Sequence, residues 1–174
     1  MTTCETRPTG SLRIESIANV SLAVLEMGIA HEFSGHLYEA VGRIADRFAH
    51  NPQPGALDHR LPSLRSPGSP LRYFAPVAPL TMAAALTALA TSRRTPGGRS
   101  WIATAVAALT ASDVLTAYIV RALNARLFVA GHQLTPDEQH TLLRRWYRLN
   151  AARIVLCGGA WTAAAIARRT RRNP

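Results

Sequence analysis

Residues 73–91, YFAPVAPLTMAAALTALAT, contain no charged side chain, and that stretch constrains the chain more than any other feature. A helix needs about twenty mostly apolar residues to cross the hydrocarbon core of a bilayer. Two further stretches come close. Residues 101–120 carry one charge, Asp113, and residues 151–167 carry one, Arg153. A fourth, residues 14–41, keeps helical character but holds several ionisable groups. Together they predict an all-α integral membrane protein, an antiparallel four-helix bundle forming one domain over residues 1–174. The spans are expected near residues 12–48, 72–92, 100–128 and 136–169.

Local signals place the ends of these helices. Ser11 is a candidate N-cap for the first, and Asn51-Pro52-Gln53-Pro54-Gly55 stops it. Residues 51–71, rich in Pro, Gly and Ser, read as the one long loop, and Thr95-Pro96-Gly97-Gly98 as a turn. Thr135-Pro136-Asp137-Glu138 has the form of a capping box, with Thr135 as N-cap and Pro136 at the first helical position. The helix it opens is expected to be amphipathic at first and to enter the membrane near Asn150.

The formal charge of +10 comes from twenty arginines and no lysine. They cluster at the ends of the apolar runs, as at Arg93, Arg94 and Arg99 and again at Arg168, Arg169, Arg171 and Arg172. Membrane proteins place cations there to meet lipid headgroups, whereas a nucleic-acid surface interleaves them with aromatics. The lipid bilayer is therefore the expected partner and nucleic acid is not. The dense tail points to a multi-pass protein of the cell membrane with both termini in the cytoplasm. Cys4 and Cys157 have neither metal-type spacing nor the setting for a disulfide, and no signal-peptide cleavage pattern follows the N-terminus.

Ionisable residues inside spans cost about 2.5–3.5 kcal/mol each on insertion scales, and usually face a bundle interior. At 100° per residue, Glu32, His36 and Glu39 share one narrow face, flanked by Gly28 and Gly35, which leave room for a ligand or a neighbouring helix. Asp113, Ala117 and Asn124 share a face in the third span, and Trp146, Asn150, Arg153 and Cys157 in the fourth. If all three stripes point inward they build one polar pocket. Each also has a plainer reading: helix one could run past the membrane edge, Asp113 and Arg153 could form a folding ion pair, Asn124 could be a cap and Trp146 a belt residue. Arg153 is expected to meet Glu39, Glu32 or Asn124 rather than Asp113, because those lie at its depth in an antiparallel bundle.

Two carboxylates and an imidazole at helical spacing, Glu32, His36 and Glu39, can hold a transition metal such as Fe or Cu, or act without one as a base towards an acidic C–H or phenol. His31 lies about 140° from His36 on the helix and stands apart. The two histidines are five residues apart, not four, so zincin chemistry is excluded, and no phosphate loop or GxSxG motif is present.

Asn124-Ala125-Arg126-Leu127, followed by Arg145-Trp146, Asn150 and Arg153, resembles the anthrone oxygenase family. Its members are small four-span proteins, many with an Asn-x-x-Leu motif closing the third span. A Trp, a polar residue four later and an Arg three beyond mark the start of the fourth. Gly35, His36, Tyr38 and Glu39 match the Gly and polar residues near the end of the family's first span. Where the family pattern has His, this chain has Asn150, which weighs against a base at that position. The resemblance implies an oxygenase that uses O₂ on a hydrophobic, aromatic or polyketide-like substrate, with no organic cofactor. On that reading Glu32, His36, Glu39, Asn124 and Arg153 are the catalytic candidates, and Trp146, Asn150 and Tyr38 the substrate-binding ones. Two other functions fit the same spans: a non-catalytic membrane subunit, and a small proton or metal transporter. Self-association is compatible with any of the three.

Overall fold

The computed structural model describes residues 9–49, 73–92, 96–129 and 134–172. The polar segment with Cys4 and the loop expected over 51–71 lie outside them. The described residues are helical, with no strand among them. They form α1 (Thr9–Val41), α2 (Ile44–Ala49), α3 (Ala78–Thr91), α4 (Pro96–Tyr118) and α5 (Pro136–Arg172). A π-helical segment, Ile119–Val129, continues α4.

Two of these helical stretches, Gly98–Phe128 and Pro136–Arg171, are long and apolar enough to cross a membrane, and Ala78–Thr91 is a shorter apolar helix. At about 1.5 Å per residue its 14 residues fall short of a bilayer core of about 30 Å, and the span expected over 72–92 is in part a turn at residues 75–77.

The end signals divide. The Thr135 capping box forms as read: the Thr135 N–H and hydroxyl donate to Glu138 Oε2 at 2.9 Å each, and the Glu138 N–H returns a bond to the Thr135 hydroxyl at 3.3 Å. The chain is already helical at Thr9, so Ser11 sits inside α1 rather than capping it. Pro96-Gly97-Gly98 opens α4 instead of forming a turn. The first helix does not run on to residue 48. It breaks after Val41, where Arg43 adopts φ 49° and its N–H drops back to the Ala40 carbonyl. A left-handed arginine is sterically unfavourable. Here its guanidinium bonds Asp46 at 3.1 Å, and the Tyr147 hydroxyl donates to the same carboxylate, which ties α2 to α5.

The order of contacts gives the running directions. Along α1, Glu26 meets Arg168 and Glu39 meets Arg153, so residue numbers rise on one helix as they fall on the other. Gly28 lies against Thr81 and Gly35 against Phe74, which opposes α1 to the segment carrying α3. Ser112 meets Cys157 and Asn124 meets Trp146, which opposes α4 and its extension to α5.

The side chains between the helices form three layers. One apolar core gathers Leu22, Leu25 and Ile29 with Ala85, Ile102, Leu109, Ala160 and Ala164. A second gathers Ala45, Ile119, Leu123, Leu127, Leu143 and Trp146. Between them, on three of the helices, come buried polar residues: Glu32, His36 and Glu39 on α1, Ser112 on α4, and Asn150 and Arg153 on α5. The small residues of the first core let the backbones close up. At Gly28 an added Cβ would lie 2.1 Å from Thr81 Oγ1, 2.8 Å from its Cγ2 and 2.9 Å from its Cβ. Thr81 is branched at Cβ, and its hydroxyl donates to the Val77 carbonyl at 2.9 Å, so it has little freedom to yield. Alanine would gain about 0.5–1 kcal/mol in helix propensity, but overpacking of this kind costs about 1–3 kcal/mol. Gly28→Ala is therefore expected to lower the unfolding midpoint in detergent, and adding Thr81→Ala, which removes the two closest atoms, to recover most of the loss. An unchanged midpoint for Gly28→Ala alone would mean that α1 and the Thr81 helix are not packed this closely.

Candidate functional site

The middle layer brings together most of the residues singled out in the sequence. Glu32 and His36 are each 3% exposed, Glu39 8%, Arg153 3% and Asn150 0%. The i, i+4 and i+7 spacing on α1 turns the three ionisable groups inward, onto the face that α5 covers. The space beside Gly28 and Gly35 is filled by protein rather than left for a ligand: Thr81 packs at the first, Phe74 and Tyr73 at the second. Phe74 also stacks on the His36 ring, with centroids 5.0 Å apart and planes at 27°.

Arg153 is the hub. One terminal nitrogen donates to Glu39 Oε2 at 2.8 Å and to the Asn150 side-chain oxygen. The other donates to the Thr116 hydroxyl at 3.2 Å. Its guanidinium stands 5.9 Å above the centre of the Trp146 ring. Asn150 completes the link to α1 by donating from Nδ2 to the His36 backbone carbonyl at 3.0 Å. A planar, permanently charged fork suits this position, because each branch can satisfy a different helix. Its Glu39 contact is one of those anticipated from depth in the bundle, and Asp113 is not among its hydrogen-bond partners.

Two buried polar atoms of the layer make no hydrogen bond: Arg153 Nε and His36 Nδ1. The second lies 3.5 Å from Glu39 Oε2. Buried polar atoms without partners are rare in native proteins and call for an explanation. Here they are a donor and a ring nitrogen from two facing helices, on residues that both contact the Glu39 carboxylate, Arg153 through a terminal nitrogen and His36 through Nδ1.

The other candidates fall elsewhere. Asn124, on the π-helical segment, accepts a bond from Trp146 Nε1 at 3.0 Å, so it orients the indole and makes no bond to Arg153. Tyr38 is 63% exposed and stands outside the buried layer. His31 bonds the Tyr73 carbonyl at 3.0 Å and stacks on its ring, apart from His36. Asp113 is half-buried on α4 and faces Glu32 electrostatically. The metal-capable grouping also differs from the one expected. Ligand atoms of Glu32, His36 and Cys157 lie within 4.8 Å of one another, so Cys157 takes the third place in that set and Glu39 stays with Arg153. The signal for Cys157 was its place on the Asn150–Arg153 face, not any cysteine spacing.

The layer as a whole is buried. A concavity of about 460 Å³ lies beyond it, lined by Val41, Gly42, Arg43, Asp46 and Arg47 at the α1–α2 break. A second, of about 300 Å³, lies against Leu86, Leu89, Ala90 and Arg99.

A model of the family described as anthrone oxygenase matches residues 70–163. The matched stretch carries Asn124, Trp146, Asn150 and Arg153, and α1 lies before it. No curated protein and no solved structure matches the chain.

Proposed function

Because the chain belongs to the anthrone oxygenase family, we propose that the buried layer is the reaction site of a membrane-embedded oxygenase acting on a hydrophobic aromatic substrate. The observation that carries this reading is the pair of unpartnered atoms, His36 Nδ1 and Arg153 Nε, held in one layer by Glu39. An unbonded imidazole nitrogen is a base, and an unbonded guanidinium N–H is an oxyanion donor.

The substrate is a ketone with an acidic CH₂ conjugated to it, as in an anthrone. His36 takes a proton from that carbon, and the electron pair moves onto the carbonyl oxygen as an enolate. Arg153 Nε–H donates to the oxyanion, while Glu39, Asn150 and Thr116 hold the guanidinium in place. The electron-rich carbon passes one electron to O₂, and the two radicals combine to form a C–O bond. The resulting peroxide takes its proton back from His36. Loss of the remaining C–H proton with cleavage of the O–O bond then leaves a carbonyl, so CH₂ and O₂ become C=O and water. Oxygen is the only oxidant, and no organic cofactor takes part.

The membrane setting belongs to the same proposal. All four long or apolar helices turn large hydrophobic side chains outward: Val20 and Met27 on α1, Leu80 and Leu86 on α3, Trp101 and Val114 on α4, Val155 and Trp161 on α5. Outward apolar groups around a polar interior suit a protein dissolved in lipid. This supports a multi-pass helical bundle in the cell membrane, and the arginine-dense C-terminal tail supports termini in the cytoplasm.

The test uses the full chain in detergent, an anthrone and ¹⁸O₂. One ¹⁸O atom per quinone formed, at a rate above that without protein, is the expected result. Quinone formed at the protein-free rate would overturn the oxygenase and leave a non-catalytic subunit.

A further inference from the structure

We propose that Glu32, His36 and Cys157 form a binding site for a divalent transition-metal ion of the Zn²⁺ type, and that the ion competes with proton transfer for His36. This deepens the proposed reaction site, on which its effect on turnover rests; the binding itself does not depend on it.

Three observations support the site. The donor atoms lie within 4.8 Å of one another and all three residues are buried. Zinc bonds of about 2.0 Å to nitrogen or oxygen and about 2.3 Å to sulfur require donor separations of about 3.3–3.8 Å in a tetrahedral shell. A small closing of the side chains reaches that range. The donors also come from rigid places: Glu32 and His36 are one turn apart on α1, and Cys157 faces them from α5. Ser112 Oγ lies 3.3 Å from Cys157 Sγ and fixes the sulfur's position from α4.

The charge balance is the second support. Glu32 forms no ion pair with any described residue, and the nearby guanidinium, Arg153, is tied to Glu39. Binding would release the thiol proton to solvent, so that one carboxylate and one thiolate neutralise a divalent cation. At a buried site, pairing of opposite charges favours that combination over a carboxylate with no ion-pair partner. The third support is the outer contact. His36 Nδ1 lies 3.5 Å from Glu39 Oε2, the relation in which a carboxylate orients a metal-bound imidazole, leaving Nε2 for the ion. Imidazole, carboxylate and thiolate together suit a borderline ion such as Zn²⁺, and three protein ligands leave the fourth position for water.

A neutral imidazole coordinated through Nε2 carries its one proton on Nδ1, so neither ring nitrogen can then accept a proton from substrate. Metal-loaded protein is therefore expected to oxidise the anthrone more slowly than metal-free protein, with activity restored by a chelator.

The experiment titrates metal-stripped full-length protein in detergent with Co²⁺ and with Zn²⁺. One Co²⁺ per chain, with the absorption band of a cobalt–thiolate bond, is expected, and Zn²⁺ should displace it. Cys157→Ser should lose the band and bind at least tenfold more weakly, and Glu32→Gln should weaken binding while keeping the band. Thermal unfolding in the presence of Zn²⁺ should rise for the parent protein and not for Cys157→Ser. Absence of a stoichiometric cobalt–thiolate band from the folded parent overturns the site, and faster turnover in the zinc-loaded form overturns the competition. Both leave the ¹⁸O₂ result standing. Intact metal binding with no ¹⁸O incorporation would instead overturn the oxygenase alone.

Discussion

Arg153→Ala is expected to lower the unfolding free energy by about 3–5 kcal/mol, because it leaves a buried carboxylate without its partner. Glu39 makes its ion pair with Arg153 at 2.8 Å, and the two side chains are 11% and 4% exposed. Asn150 and Thr116 lose the same partner, so three helices are affected by one truncation. Two further variants separate the fold from the chemistry. Replacing both Arg153 and Glu39 by leucine removes the charges as a pair, and such replacements are often neutral in stability. That double variant should fold near the parent's midpoint and have no turnover. Arg153→Lys keeps the charge for Glu39 but loses the planar fork, the bond to Thr116 and the free Nε–H. It should stay folded while turnover falls about 10²–10³-fold, the usual cost of one oxyanion donor. Full turnover in Arg153→Lys would remove Arg153 from the reaction and leave it a structural tie.

What could be read from the sequence was whatever repeats with a helical period. Glu32, His36 and Glu39 recur at intervals that only a helix aligns, and each is buried. The Arg153–Glu39 contact followed from depth alone, since an antiparallel partner sets residue 153 beside the C-terminal half of α1. What could not be read depends on backbone detail or on side chains meeting from different helices. Nothing at Gly42-Arg43 announces a break, because arginine at φ 49° is against its own preference and is held by Asp46 and the contacts of α2. The π-helical winding of Ile119–Val129 changes how residues fall around the axis, and Asn124 accordingly meets Trp146 rather than Arg153. Tyr38 sits next to a buried stripe in sequence, yet one residue is 100° of rotation, and it faces outward. Cys157 escaped notice as a ligand for a related reason. Ligand spacing within one segment is visible in a sequence, but Cys157 approaches Glu32 and His36 across a helix interface.

The substitution with the largest expected effect on rate is His36→Gln. A positioned general base contributes about 10²–10⁴ in rate, and glutamine supplies no basic nitrogen. The fold should survive the change. The bond from Asn150 reaches the His36 backbone carbonyl, not the ring, and His36 Nδ1 has no hydrogen bond to lose. The stacking contact with Phe74 is given up, which is a modest loss. Turnover on the anthrone should therefore fall by about 10²–10⁴ with little movement of the unfolding midpoint. A second reading distinguishes a lost base from a merely loosened site. If proton removal becomes the slow step, an anthrone deuterated at the reacting carbon should show a larger isotope effect in His36→Gln than in the parent protein. Of the neighbouring carboxylates, Glu39 is committed to its ion pair with Arg153 at 2.8 Å. Glu32 has no such tie and is the competitor to exclude. Should Glu32→Gln abolish turnover while His36→Gln leaves it and the isotope effect unchanged, the base is Glu32. The proton then leaves the substrate one helical turn nearer the first apolar core.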